Sequence, residues 1–191
     1  MVIPVRLSLV AMSAGRRIEP IESPFTLPRA RGGYMVAIKR ILYPIEFSEC
    51  SYDVIPYVLS IAEKFEATVY LLYVARDLHH FAGIHLPHTS ISLFTKELLE
   101  GSERMMDKVC NDYFDRCPNF RRKVVIGDPG EEIVRTAEEE GIDLIVMGTH
   151  GRKGLDRTLF GSVAAYVVKH SSVPVLTVNP YRLRQRQPGA A

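Results

Sequence analysis

Between Lys39 and Val178 short runs of aliphatic and β-branched residues alternate with stretches of helical periodicity, and this alternation confines the chain to a parallel sheet with crossover helices. Parallel neighbours cannot be joined by a tight hairpin, so each strand needs a helix that carries the chain back across the sheet. The runs are Arg40 to Ile45, Thr68 to Val74, Arg122 to Ile126, Leu144 to Met147 and Val173 to Val178. All five are short and nearly continuous in apolar residues, as expected of strands buried on both faces. The first helix is expected from about Ser48–Ser51 to Phe65, with Val54, Val58, Ile61, Ala62 and Phe65 on one face. The others run from about Leu93 to Arg116, from Glu131 to Glu140 and from Ser162 to His170. Pro56 lies early enough in the first helix to be tolerated, and Pro129 falls near the first position of the third, whose acidic first turn suits the helix dipole. The polar stretch Ala75 to Ser90 reads as a long loop. The expected fold class is α/β, a Rossmann-like open five-stranded parallel sheet with helices on both faces.

At 191 residues, 47% hydrophobic and 24% charged, the chain has the composition of one soluble globular domain. Gly, Pro or charge cuts every apolar run short of the roughly 18 residues that would span a bilayer, which excludes an integral helical membrane protein. Residues 1–34 hold Pro4, Pro20, Pro24, Pro28 and the Gly32-Gly33 pair and show no sustained period. They read as a poorly ordered extension ahead of a domain at 35–180, with a basic tail at 181–191. Val2 to Ala14 has the apolar character of a signal peptide, but Arg6 interrupts it and no long uncharged core follows. A second reading puts the natural start at Met35. Residues 1–34 and 179–191 each carry +3 while the whole chain carries +2, so the stretch between them sums to −4. That centre offers no basic stripe for a phosphate backbone, and nucleic acid is not an expected partner. Three cysteines, Cys50, Cys110 and Cys117, without close pairing, argue against a disulfide framework and for a reducing, cytoplasmic compartment.

The segment with chemical content follows the fourth strand: Gly148-Thr149-His150-Gly151, nine residues, then Gly161-Ser162 opening a helix. A loop that leaves the carboxyl end of a parallel strand and ends at a helix N-terminus brings unpaired N–H groups and the positive dipole end to the sheet crevice, where phosphate is a natural guest. Gly148 and Gly151 allow the backbone to approach a ligand closely, and the Ser162 hydroxyl adds a donor. The spacing is neither that of a Walker loop nor that of a dinucleotide fingerprint. Arg152, Lys153 and Arg157 read equally as phosphate-neutralising or as solvated surface.

These residues, with ILYPIEFSE in the first strand and VPVLTV in the last, resemble the universal stress protein family over Val36 to Pro180, about three quarters of the chain. The glycine pattern is the one that marks the family's ATP-binding members. The resemblance implies the strand order 3-2-1-4-5, ATP lying across the ends of strands one and four, and a homodimer built through Val173–Val178. Carried over by position, it implies that Pro44, Ile45 and Glu46 flank the nucleoside and that Val74 meets the adenine. It likewise implies that Met147, Gly148, His150 and Gly151 line the ribose and phosphates, and that Gly161, Ser162 and Val163 hold the phosphates. The family usually has Asp where this chain has Glu46, and the extra methylene is expected to carry the carboxylate about 1.5 Å further out.

The expected function is that of an ATP-binding stress-response regulatory protein acting on a downstream protein that the sequence does not identify, with any Mg²⁺ or Mn²⁺ held through the phosphates. No residue is assigned a catalytic role. The carboxylates nearest the pocket, Glu46 and Asp156, form no recognisable hydrolytic constellation, so hydrolysis is expected to be slow or absent. The alternative is a dimeric scaffold with no nucleotide function, associating through the apolar edge Val173–Val178. His79, His80, His85 and His88 crowd the polar loop, but without the spacing of a metal motif they read as loop residues, with a metal site as the minor alternative. Cys50 falls at a helix start with no basic neighbour in sequence, while Cys110 and Cys117 are expected to share a helical face in the core.

Overall fold

The computed structural model describes residues 37–76, 88–115, 117, 119–149 and 161–180. The readings made for residues 1–34 and 181–191, and for His79, His80 and His85, lie outside the described residues. The elements run β1 (Arg40–Pro44), α1 (Glu49–Tyr52), α2 (Ile55–Phe65), β2 (Thr68–Arg76), α3 (His88–Val109) with a π-helical turn (Cys110–Phe114), β3 (Phe120–Gly127), α4 (Pro129–Glu139), β4 (Leu144–Gly148), α5 (Ser162–His170) and β5 (Val175–Val178). The five strands pair in parallel in the order β3-β2-β1-β4-β5. The fold is an open α/β sheet covered on both faces, as the alternation of patterns requires.

Period-two alternation in the strands sorts two cores. Ile41, Tyr43, Val69, Leu71, Leu144 and Val146 face α1, α2 and α3 and meet Val58, Ala62, Met106 and Phe114. Leu42, Leu72, Ile145 and Met147 face α4 and α5 and meet Ile133, Ala137, Ala164 and Val167. Asp143 fixes the base of the central pair, its Oδ2 accepting from the backbone N–H groups of Lys39 and Arg40 at 2.8 and 2.9 Å.

Six sequence expectations are corrected. The single first helix is two, because Pro56 has no N–H to continue it, and the chain turns at Asp53–Val54 before restarting with Pro56 in the first turn of α2. The second expected helix, α3, starts earlier than Leu93, at His88, and ends in the π-turn at Phe114 instead of Arg116. Cys117 therefore lies beyond it, packed beside the same core that buries Cys110 but not on a shared helical face. The third strand starts at Phe120, not Arg122, because Phe120 pairs in register with Val69 and its ring packs 5.9 Å from Phe114. The last strand starts at Val175, after Pro174, whose carbonyl still accepts from the Ile145 N–H. Finally, β3 and β5 are the sheet edges and are only partly buried, so burial on both faces holds for the inner strands.

Candidate functional site

The strand order reverses between β1 and β4, and the carboxyl ends of those strands open a crevice there. Ile41 pairs with Leu144 and Leu42 with Ile145, so continuing the register by two residues brings Pro44 level with Met147. On the other side Pro44 pairs with Leu72, which puts Val74 two residues further along the rim, and Gly148 pairs with Val178 of β5. Pro44, Ile45, Glu46, Val74, Met147 and Gly148 thus converge on one rim. Met147 is buried and Val74 half-buried against the α4/α5 core.

The turn after β1 is tightly determined. The Ile45 N–H donates to the Leu72 carbonyl at 2.9 Å, extending the pairing past the strand end. Phe47 then adopts φ of 56°, a left-handed conformation that costs a bulky residue roughly 1–2 kcal/mol. Its ring is buried 4.5 Å from that of Tyr73, and this packing holds the conformation. Ser48 caps α1 in a reciprocal box with Ser51 and donates to Glu46 Oε1 at 2.7 Å. Glu46 is thereby folded back onto its own turn, and the extra methylene does not simply carry the carboxylate outward. The Tyr43 phenol donates to the Ser51 carbonyl and ties α1 to β1. Burial, with Glu46 beside it, pushes that phenol far above its ordinary range.

On the β4 side, the Thr149 N–H donates to the Val178 carbonyl at 2.9 Å and the Gly161 N–H to the Thr149 carbonyl at 2.7 Å. The second bond pins the two ends of the intervening loop together and sets the start of α5 against the end of β4. His150 and Gly151, with Arg152, Lys153, Asp156 and Arg157, lie outside the described residues. Gly161 is the N-cap of α5, with φ of −70° and ψ of 161°, and among the described residues no side chain caps the helix. The contrast is local: α1 begins on Ser48, and α4 on Asp128, whose carboxylate accepts from Gly130 and Glu131 N–H. The first N–H groups of α5, at Ser162, Val163 and Ala164, have no intrahelical acceptor and point with the dipole toward the rim. Ser162 is exposed and Val163 packs on the core, so the backbone and one hydroxyl face outward.

Sequence reasoning did not anticipate Phe47 and Thr149. A left-handed phenylalanine has no local signal, because only packing on Tyr73 selects it, and Thr149 acts through its backbone. Among the described residues no group of three or more metal-ligating side chains comes together, and no helix is long and apolar enough to cross a membrane.

An open parallel α/β sheet with an uncapped helix start at its topological switch point defines a class of proteins that bind ligands outside the carboxyl ends of their strands. Within that class the comparisons are specific. The universal stress protein family model matches residues 37–179. Universal stress protein MJ0531 of Methanocaldococcus jannaschii is 36% identical over 140 residues, covering 73% of this chain and 81% of that protein. Universal stress protein MJ0577 of the same organism is 34% identical over 155 residues, covering 75% and 96%. A solved structure of hypothetical protein MJ0577 gives a TM-score of 0.67 at 33% identity, covering 75% of this chain and 97% of that one. A universal stress protein solved in complex with cAMP shares the fold, with a TM-score of 0.51 at 21% identity over 75% of this chain and 98% of that one. This chain belongs to the universal stress protein family.

Proposed function

We propose that the protein is an adenine-nucleotide-binding regulator in the stress response, which holds ATP across the carboxyl ends of β1 and β4. The observation that carries the reading is the start of α5, where a helix end without a side-chain cap is pinned against the end of β4 by the Gly161–Thr149 hydrogen bond. Such an end has donors and dipole for a phosphate, and among the described residues no carboxylate caps it. Gly161, Ser162 and Val163 hold the phosphates, and Met147, Gly148, His150 and Gly151 of the strand end and the Gly-x2-Gly-x9-Gly-Ser segment line the ribose and phosphates. Pro44, Ile45, Glu46, Val74 and Met147 form the nucleoside side. Mg²⁺ or Mn²⁺, when present, is bound through the phosphates, and the nucleotide state is read by a partner protein in the cytoplasm.

Denaturing freshly purified protein and identifying any released nucleotide, followed by ATP titration of nucleotide-free protein with and without Mg²⁺, tests this. Saturable binding that raises the melting temperature by mass action is the expected result. cAMP serves as the competitor, since a protein of the same fold has been solved with it. No binding up to millimolar ATP refutes the reading.

A second reading rests on β5. Among the described residues it is an edge strand, its Leu176 is 42% exposed, and the outward backbone groups of such a strand suit pairing with a second copy. A homodimer through Val175–Val178 with no response to nucleotide is the outcome that favours a scaffold over a nucleotide-dependent regulator.

A further inference from the structure

β3 is the sheet edge opposite β5, and among the described residues no strand pairs with its outer side. The Val69 N–H donates to the Asn119 carbonyl at 3.0 Å, and Val69 stands level with Phe120. Bonding alternates along a parallel pair, so Arg121, Lys123 and Val125 give their N–H and C=O groups to β2, while Arg122, Val124 and Ile126 turn theirs outward. The second half of the strand, Val124-Val125-Ile126, is only partly buried and carries neither charge nor proline to discourage a further strand.

The two ends of this edge carry opposite charge on the same face. Near its start Arg121 is exposed on the α4 side, its guanidinium over the Tyr70 ring at 5.5 Å from the centroid, and it makes no ion pair among the described residues. Its neighbours are already matched: Arg122 reaches Glu103 and Asp107 across the opposite face, and Lys123 Nζ lies 3.4 Å from carboxylate oxygens of Glu139 and Glu140. At the far end Gly127 leaves room for a carboxylate of α4. A Cβ there would lie 2.7 Å from Glu132 Cγ and 2.9 Å from its Oε1. Glu132 Oε2 accepts from Arg135, and Oε1 is the oxygen turned to Gly127.

We propose that β3 pairs antiparallel with β3 of a second copy of this chain about a two-fold axis at Val124, Arg121 of each copy meeting Glu132 of the other. A two-fold contact through one strand is necessarily antiparallel, and the outward groups leave few choices of centre. A centre at Arg122 or Lys123 sets like charges directly opposite each other, which is destabilising. A centre at Val125 brings Arg122 opposite Asp128, past the strand end, and shortens the ladder. At Val124, Arg122 falls opposite Ile126, Lys123 opposite Val125 and Arg121 opposite Gly127. Opposite residues of an antiparallel pair share a face, so Arg121 arrives beside the carboxylate that overlies Gly127.

Sedimentation velocity of the full chain at roughly 100 µM, a concentration suited to a contact of one strand's length, reads the association. Arg121→Glu and Glu132→Lys should each weaken it about tenfold, since either turns two facing ion pairs of the dimer into repulsions. An equimolar mixture of the two variants should recover it as a heterodimer: the new carboxylate then faces the new ammonium, and the native pair survives at the other end. No effect confined to one chain is rescued by mixing. Ile126→Pro removes an outward N–H that β2 does not use and should weaken association by a similar factor without changing charge. A contact through β5 is indifferent to these substitutions and would persist in all three variants. Glu132→Lys also loses its bond to Arg135, so Arg121→Glu and Ile126→Pro keep the test decisive if that variant folds poorly. A monomeric parent, association unchanged in Arg121→Glu or in Ile126→Pro, or a mixture of two folded variants that associates no better than either alone overturns the proposal.

Discussion

Replacing Gly161 with Asp sets stability against binding in a way that isolates the role of the α5 start. The backbone there, φ −70° and ψ 161°, is the extended conformation of an ordinary N-cap, so a carboxylate side chain fits without backbone strain. It would accept from the free N–H groups of the first turn. Asp in place of Gly at an N-cap contributes a few tenths of a kcal/mol through the hydrogen bond, and the negative charge at the dipole end a further 0.3–1 kcal/mol. The sum is about 1 kcal/mol, which corresponds to a rise of about 2–4 °C in melting temperature for a domain of this size. Binding should move the other way. A carboxylate about 5 Å from a phosphate charge costs roughly 3 kcal/mol at an effective dielectric constant of about 20, on the order of a hundredfold in affinity, before counting the N–H groups it occupies. Gly161→Asn caps without charge and should lose only about tenfold. Differential scanning fluorimetry and ATP calorimetry on the parent and both variants read the two quantities. A destabilised Gly161→Asp would refute the inference that this helix end is uncapped. A stabilised variant with parental ATP affinity would refute the placement of phosphate on it.

Three further outcomes follow from the described contacts. Ser48→Ala removes both the α1 cap and the donor to Glu46, and should lower stability by about 1 kcal/mol and weaken ATP; Asp128→Ala should cost a similar amount through the cap of α4 and leave ATP affinity unchanged, as denaturant unfolding and calorimetry will show. Gly141→Ala should destabilise by about 1–2 kcal/mol in urea, because Gly141 sits at φ of 59° and an added Cβ would lie 2.7 Å from Arg40 Nη1, which itself donates to the Glu140 carbonyl. The Arg135 guanidinium holds the Glu139 carboxyl below its ordinary 4.5. A lowered folded-state value stabilises above the unfolded one and is lost as the pH falls through the folded value, so the melting-temperature gap between the parent and Arg135→Met should narrow from pH 7 to pH 3.

What was legible in the sequence was whatever a short window determines. Strand and helix alternation gave the five strands and their parallel sense, and the pause at Gly161-Ser162 gave the start of α5 to the residue. Strand order was not in the periodicity; it came with the family resemblance, because nothing local distinguishes an inner strand from an edge. The expected strand began at Arg122, and the structure extends it to Phe120 because an edge strand accepts charged residues facing solvent while Phe120 packs inward on Phe114. Pro56 carried a readable break that the apolar face of Val54, Val58, Ile61 and Ala62 outweighed, and that face belongs to α2 and its N-cap alone.

At the site the same division recurs, and it says where function is written. Residues proposed to act through backbone position, Gly148 and Gly161, are visible because glycine and a helix start are local signals. Glu46 was visible as a position but not as a geometry: its carboxylate is directed by Ser48, Ser48 by the cap of α1, and the turn that joins them by Phe47 against Tyr73. An aspartate at position 46 would place its carboxylate one bond nearer the backbone in the same turn, so the length of the side chain and the Ser48 bond have to be weighed together. Glu46→Asp therefore tests the turn and not the residue alone. If Ser48 is what aims the carboxylate at the nucleoside, Glu46→Asp should change ATP affinity in the parent but have little effect in a Ser48→Ala background, and additive effects in the two backgrounds would show that Glu46 acts independently of its turn.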